Sequence, residues 1–157
     1  MQYWLMKSEP GEFSLDDLYR SPRRTACWDG VRNYQARNMM RDTMRKGDLA
    51  FFYHSNCPQP AIVGIMTVVR EGYVDTTAFD RNDKHYDPRS RPERPLWYMV
   101  DVRYRRRLRR PLTLNELRAC PRLAAMPLLR KGNRLSVMPV RVAEWRRILE
   151  LEQQSPP

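Results

Sequence analysis

The chain has 157 residues, 29 of them Lys or Arg against 18 Asp or Glu, giving a formal net charge of +11 and a pI of about 10.1. With 41% hydrophobic and 10% aromatic residues it is no disordered basic tail, and its length suits one domain burying about two-thirds of its unfolded surface. Only Lys7, Lys46, Lys84 and Lys131 are lysines, so 25 of the cations are arginines. The planar guanidinium fork matches phosphate and stacks on aromatic rings, which points to a polyanion partner, nucleic acid first. An Arg- and Pro-rich coding composition would produce the same excess without such a partner.

No apolar run is long enough to span a bilayer, and Met1–Lys7 lacks the features of a secretion signal. Cys27, Cys57 and Cys120 form no C-x-x-C pair, and their odd number suits reduced thiols. These features predict a soluble monomer without a membrane partner. They place it in the cytoplasm, nucleoid-associated in a bacterium or nuclear in a eukaryote.

Tyr3–Met6 reads as a short buried strand stopped by the turn Lys7-Ser8-Glu9-Pro10-Gly11. Ser14 with Asp17 is a helix start signal, and the helix runs to about Tyr19 before Ser21-Pro22. Thr25–Trp28 is a brief strand, turned by Asp29-Gly30. Asn33 to Arg45 is an amphipathic helix with a basic flank of Arg37, Arg41 and Arg45, closed by Gly47. Asp48–His54 and Ala61–Val69 are β-rich runs expected to pair antiparallel across the proline-rich loop 55–60. Residues 76–95 are a long polar loop with room for function. Leu96–Arg110 alternates as a long strand with Arg103, Arg105, Arg107 and Arg109 in a row, and Thr113 with Glu116 starts another short helix. Arg134–Val140 and Val142–Leu151 close as strand and helix. This order predicts an α+β fold: a small, mostly antiparallel, barrel-like sheet with short flanking helices.

Enzyme signatures are scarce. The six glycines form no phosphate-cradling loop, and neither G-x-x-x-x-G-K-[ST] nor G-x-S-x-G occurs. His54 and Cys57 make one H-x-x-C pair without the second pair that a closed zinc site requires, so no metal and no cofactor is expected. What stands out is aromatic and amide groups at strand ends: Trp28, Asn33-Tyr34-Gln35, Tyr53-His54-Ser55-Asn56 and Trp97. A flipped or single-stranded base is held by stacking plus hydrogen bonds to its edge, and these side chains offer both. Taken singly, Trp28, Phe52 and Trp97 are more often core than cage, Asn33 more often an ordinary loop or cap group, and the arginine row equally a charged strand defended against aggregation.

The blocks Tyr3–Pro10, Cys27–Asn38, Phe51–Cys57, Trp97–Val102 and Arg134–Val137 together resemble the EVE domain family, and within it the thymocyte nuclear protein group. That resemblance spans nearly the whole chain. It implies one EVE domain over 1–152 with a tail at 153–157, and a PUA-like barrel related to YTH domains. It also implies a non-catalytic reader of a modified base, 5-methylcytosine or 5-hydroxymethylcytosine in DNA, with modified RNA as the alternative. By position, the implied pocket comprises Lys7, Ser8, Glu9, Pro10, Trp28, Asp29, Asn33, Tyr34, Gln35, Tyr53, His54, Ser55, Asn56 and Trp97. Arg32, Arg37, Arg103, Arg105 and Arg107 would grip phosphates. Two competing readings stay open: an enzyme acting on modified nucleic acid through Glu9, Asp29 or His54, and a protein-binding adaptor on the same fold.

Overall fold

The computed structural model describes residues 1–156. Tyr3–Ser8 forms β1, in which Trp4, Leu5 and Met6 are all buried. Three consecutive buried strand residues need cover on both faces, because successive side chains point opposite ways. One face packs Trp4 and Met6 with Ala50, Phe52, Met66 and Val100, and the other packs Leu5 with Phe51, Ile62, Leu112 and Trp145.

The remaining strands are β2 (Thr25–Cys27), β3 (Leu49–His54), β4 (Ala61–Val74), β5 (Tyr98–Thr113) and β6 (Val137–Val140). They form one sheet in the order β2-β5-β4-β3-β1-β6. All neighbours are antiparallel except β1 with β3, which run parallel with Tyr3 opposite Leu49 and Ser8 opposite His54. A parallel pair needs a crossover, and here it is supplied by α1 (Leu15–Arg20), β2 and α2 (Tyr34–Asn38). This is the mostly antiparallel α+β architecture that the element order predicts, although β4 and β5 run on past Val69 and Arg110.

Local signals act as expected at the helix starts. Ser14 N donates to Asp17 Oδ2 at 2.8 Å and Asp17 N to Ser14 Oγ at 3.1 Å, a reciprocal cap for α1. Glu116 N donates to Thr113 Oγ1 at 3.2 Å ahead of α3 (Leu114–Arg118). The closing helix α4 covers Val142–Gln153, so Gln153 belongs to the helix and not to the tail.

Residues 33–45 depart from expectation. Regular helix stops at Asn38, and Met39–Thr43 opens into a wide turn in which Met44 N donates to Met39 O at 2.9 Å. The widened turn lays Met40 O against Gly72 of β4, where any Cβ would collide with it. Met40 and Met44 are still fully buried, so the methionine stripe is core.

The segment 76–95 is anchored at both ends. Asp75, fully buried, accepts from Gly30 N at 2.9 Å, Thr77 N at 3.0 Å and Arg32 Nη1 at 3.0 Å. At the far end Trp97 Nε1 donates to Asp87 Oδ2 at 2.7 Å, and Arg89 pairs with the same carboxylate. Hydrogen bonds from Arg89 and then Trp97 hold the Asp87 carboxyl at about 2. A folded-state value below the unfolded one near 3.9 means that this group stabilises the fold above about pH 4. That stabilisation disappears as pH falls through about 2. Melting temperatures measured from pH 5 to pH 2 are therefore expected to fall more steeply for the native chain than for Asp87→Asn.

Candidate nucleic-acid interface

A groove of about 1150 Å³ opens between the end of β1 and β2. Because β1 pairs with β6, Lys7 N donates to Ser136 O at 2.8 Å, and Arg134–Ser136 come to lie beside Lys7, Ser8 and Glu9. Ser8 Oγ donates to Phe13 O at 2.6 Å and shapes the turn that brings Glu12 and Phe13 to the groove. The opposite side is built from Ala26–Arg32 and from Asn82–His85 of the long loop.

Trp28 lines the groove with Phe13 and Leu135 as its apolar part, yet it is only 6% exposed. Phe13 and Phe52 hold it edge-on, with ring centroids at 6.4 Å and 5.3 Å and interplanar angles of 87° and 80°. It belongs to the core and to the groove together. Gly30, at φ +76°, occupies the left-handed region that favours glycine, and a Cβ there would overlap the His85 ring. Arg32 fixes His85 from below the loop, donating to its carbonyl from Nε at 3.2 Å and Nη2 at 2.7 Å. Lys84 pairs with Glu12 and so ties the long loop to the opposite turn. Burial lowers the Lys7 ammonium pKa and raises that of the Asp29 carboxyl, both half-buried groups of this lining.

Of the expected pocket residues, Lys7, Ser8, Glu9, Trp28, Asp29 and Ser55 line the groove. Pro10 follows in the turn but is not part of the lining. Asn33 is spent as a cap, its Oδ1 accepting from Ala36 N at 3.0 Å, and Gln35 is exposed on α2. Tyr34 stacks on Trp97 at 4.8 Å, while Trp97 itself is 2% exposed and hydrogen-bonded to Asp87, which makes it a core residue away from the groove. Tyr53 faces the other side of the sheet, where burial pushes its hydroxyl up to about 12. His54 Nε2 accepts from Leu15 N at 3.2 Å, and burial, then Arg107, lowers its pKa. Asn56, in a left-handed conformation, donates to Glu9 and shapes the rim from outside.

The arginines separate into two groups. Arg32 is committed to Asp75 and the His85 carbonyl and lies 5.3 Å from the Trp97 ring centroid, so it is an internal brace and not a phosphate contact. Arg37 donates to Leu96 O at 2.8 Å and does similar work. Arg103, Arg105 and Arg107 are exposed along β5, with Arg103 beside Thr25 of β2 and Arg107 paired with Asp16. Arg106 and Arg110 turn the other way, onto Glu152 and Glu116.

Glu12, Phe13, Asn82–His85 and Arg134–Ser136 complete the groove without having been marked as pocket residues. The long loop's polar composition is the one available signal for Asn82–His85, and none marks Glu12 and Phe13. For Arg134–Ser136 the signal is the β1–β6 pairing, which no local pattern announces. Among the described residues, no group of three or more His, Cys, Asp and Glu is placed to hold a metal, and no helix is long and apolar enough to cross a membrane.

Comparison with known proteins sets this geometry in a family. The EVE domain matches residues 2–151. Thymocyte nuclear protein 1 of rat is 47% identical over 98% of this chain and 75% of its own length. The crystal structure of human THYN1 protein in complex with 5-methylcytosine-containing DNA superposes with a TM-score of 0.94 at 43% identity, covering 99% of this chain and all of that one. A crystal structure of a Pseudomonas syringae protein gives a TM-score of 0.91 at 47% identity, covering 96% and 99% of the two chains. With a full-length match, closely superposable relatives and a groove framed by the Tyr3–Pro10 and Cys27–Asn38 blocks, the chain belongs to the EVE domain family.

Proposed function

We propose that this domain is a non-catalytic reader of DNA that holds a modified cytosine, 5-methylcytosine or 5-hydroxymethylcytosine, in the groove beside Trp28. The observation that carries the reading is the superposition on a relative solved with 5-methylcytosine DNA, joined to a groove that pairs apolar surface with hydrogen-bonding groups. The exposed arginines of β5 supply phosphate contacts, and the domain acts as a monomer wherever the DNA is. An enzymatic role has less support: of its three candidate residues, His54 is held by Leu15 N and Glu9 by Asn56.

The test is a titration at one near-physiological salt concentration against matched duplexes carrying cytosine, 5-methylcytosine, 5-hydroxymethylcytosine or N6-methyladenine, with RNA alongside. A preference of about tenfold, roughly 1.4 kcal/mol, for a modified-cytosine duplex is expected. Equal, salt-sensitive binding to all of them would overturn the reading. The double variant Arg103→Ala, Arg105→Ala is expected to keep that preference while weakening every duplex alike and flattening the log–log salt slope by up to about two.

A further inference from the structure

The methyl group that distinguishes 5-methylcytosine from cytosine is also present on thymine. Apolar contact with that methyl therefore cannot separate the modified base from its deamination product. Separation requires a group that senses position 4, where cytosine carries an amino donor and thymine a carbonyl acceptor. An acceptor fixed opposite that position pairs with one base and repels the other.

Four carboxylates line the groove, and three have partners. Glu9 accepts from Asn56 Nδ2, Glu12 pairs with Lys84, and Asp83 Oδ1 accepts from His85 N at 2.8 Å. Among the described residues, Asp29 has no side-chain hydrogen bond and no ion pair, although it is half-buried next to Trp28. Its position is fixed on both sides in sequence. Trp28 N donates to Val100 O at 2.8 Å, and Gly30 N donates to Asp75 Oδ2 at 2.9 Å with Gly30 packed under His85. A carboxylate held so firmly, partly removed from water, with only its own backbone N–H as a donor and His85 nearby, is an acceptor waiting for a ligand's N–H.

Among the described residues the same groove holds one half-buried cation without a partner, Lys7; Arg32 and Lys84 are both engaged, and Arg134 is exposed. Lys7 and Asp29 are not paired with each other, so the groove offers a separate donor and acceptor. The Watson–Crick edge of cytosine is complementary to such a pair, with an amino donor at position 4 and acceptors at N3 and O2. The edge of thymine places an acceptor at position 4.

The geometry points to Asp29 as the specificity residue of the groove: its carboxylate accepts a hydrogen bond from the 4-amino group of the bound base and excludes bases with a carbonyl there, thymine above all. This assignment rests on the reading of the groove as a modified-cytosine site. Asp29→Asn keeps size and shape but replaces a pure acceptor with an amide that can turn its N–H₂ toward a carbonyl.

The experiment compares native protein and Asp29→Asn on duplexes that differ only at one base pair, carrying 5-methylcytosine, cytosine or thymine, each opposite its normal partner. Dividing the variant's 5-methylcytosine-to-thymine affinity ratio by the native one cancels the different costs of unpairing the two bases. That quotient is expected to be one fifth or less. A native protein that binds thymine and 5-methylcytosine duplexes equally, or a folded variant whose quotient stays near one, would overturn the role of Asp29. In either case a retained preference of the native protein for 5-methylcytosine over cytosine leaves the reader function standing. Loss of that preference in the native protein removes the function itself and this assignment with it.

Discussion

Replacing Trp28 with alanine is expected to lower stability by about 3–5 kcal/mol and to abolish discrimination between 5-methylcytosine and cytosine. Both effects follow from one placement. The indole is nearly buried between Phe13 and Phe52, so truncation leaves a large cavity beneath the groove and takes away an apolar part of its floor. Urea denaturation at neutral pH reads the first effect, and duplex titration well below the variant's unfolding midpoint reads the second. Trp28→Phe, which preserves an aromatic plane, is expected to lose roughly half as much stability and to retain a reduced preference. A folded Trp28→Ala protein with undiminished preference would show that the base is held elsewhere.

Arg32→Ala is expected to cost about 2–4 kcal/mol while leaving the salt dependence of DNA binding unchanged. Its partner Asp75 is completely buried, and Arg32 is itself only partly exposed. Removing one member of such a pair strands the other charge in a poorly solvated site, which is why the loss exceeds that of a surface ion pair. The Asp75 carboxyl is kept below its ordinary range because hydrogen bonds from Thr77, Gly30 and Arg32 outweigh the upward push of burial. Without Arg32 the long loop also loses its clamp on the His85 carbonyl, so amide exchange in residues 82–86 is expected to speed up. A steep drop in salt slope with unchanged melting would return Arg32 to the phosphate-contact role that its position in the sequence suggests.

Much of the architecture is legible from short-range chemistry. Ser14 with Asp17 and Thr113 with Glu116 announce helix starts because a cap needs only residues three apart. The strands are legible because β-rich apolar runs end in Gly, Pro or Asn. The site is less so, since its walls come from segments joined by strand pairing across the whole chain. Asn33 illustrates one difficulty: an amide at a helix start suits a base edge and a backbone cap equally, and the unpaired N–H of Ala36 decides for the cap. Tyr53 illustrates another. Strand alternation alone sets it opposite to Phe52, and once Phe52 supports Trp28, Tyr53 cannot share their face. Among the arginines, the alternation along β5 separates Arg103, Arg105 and Arg107 from Arg106, but only the fold shows which side meets Glu152.

The pairing of β1 with β6 bears on how the molecule is made. Tyr3 sits opposite Val140, so β1, the first strand of the domain, gains its outer neighbour only when β6, the last, has been synthesised. Until then β1 presents an open backbone edge, and the groove lacks the stretch before β6 that completes it. Contacts of such sequence separation are slow to form and leave strand edges exposed to other chains meanwhile. Folding of this domain thus waits on the synthesis of β6, and a stalled or shortened chain that stops before Val137 is an aggregation hazard with an unfinished site.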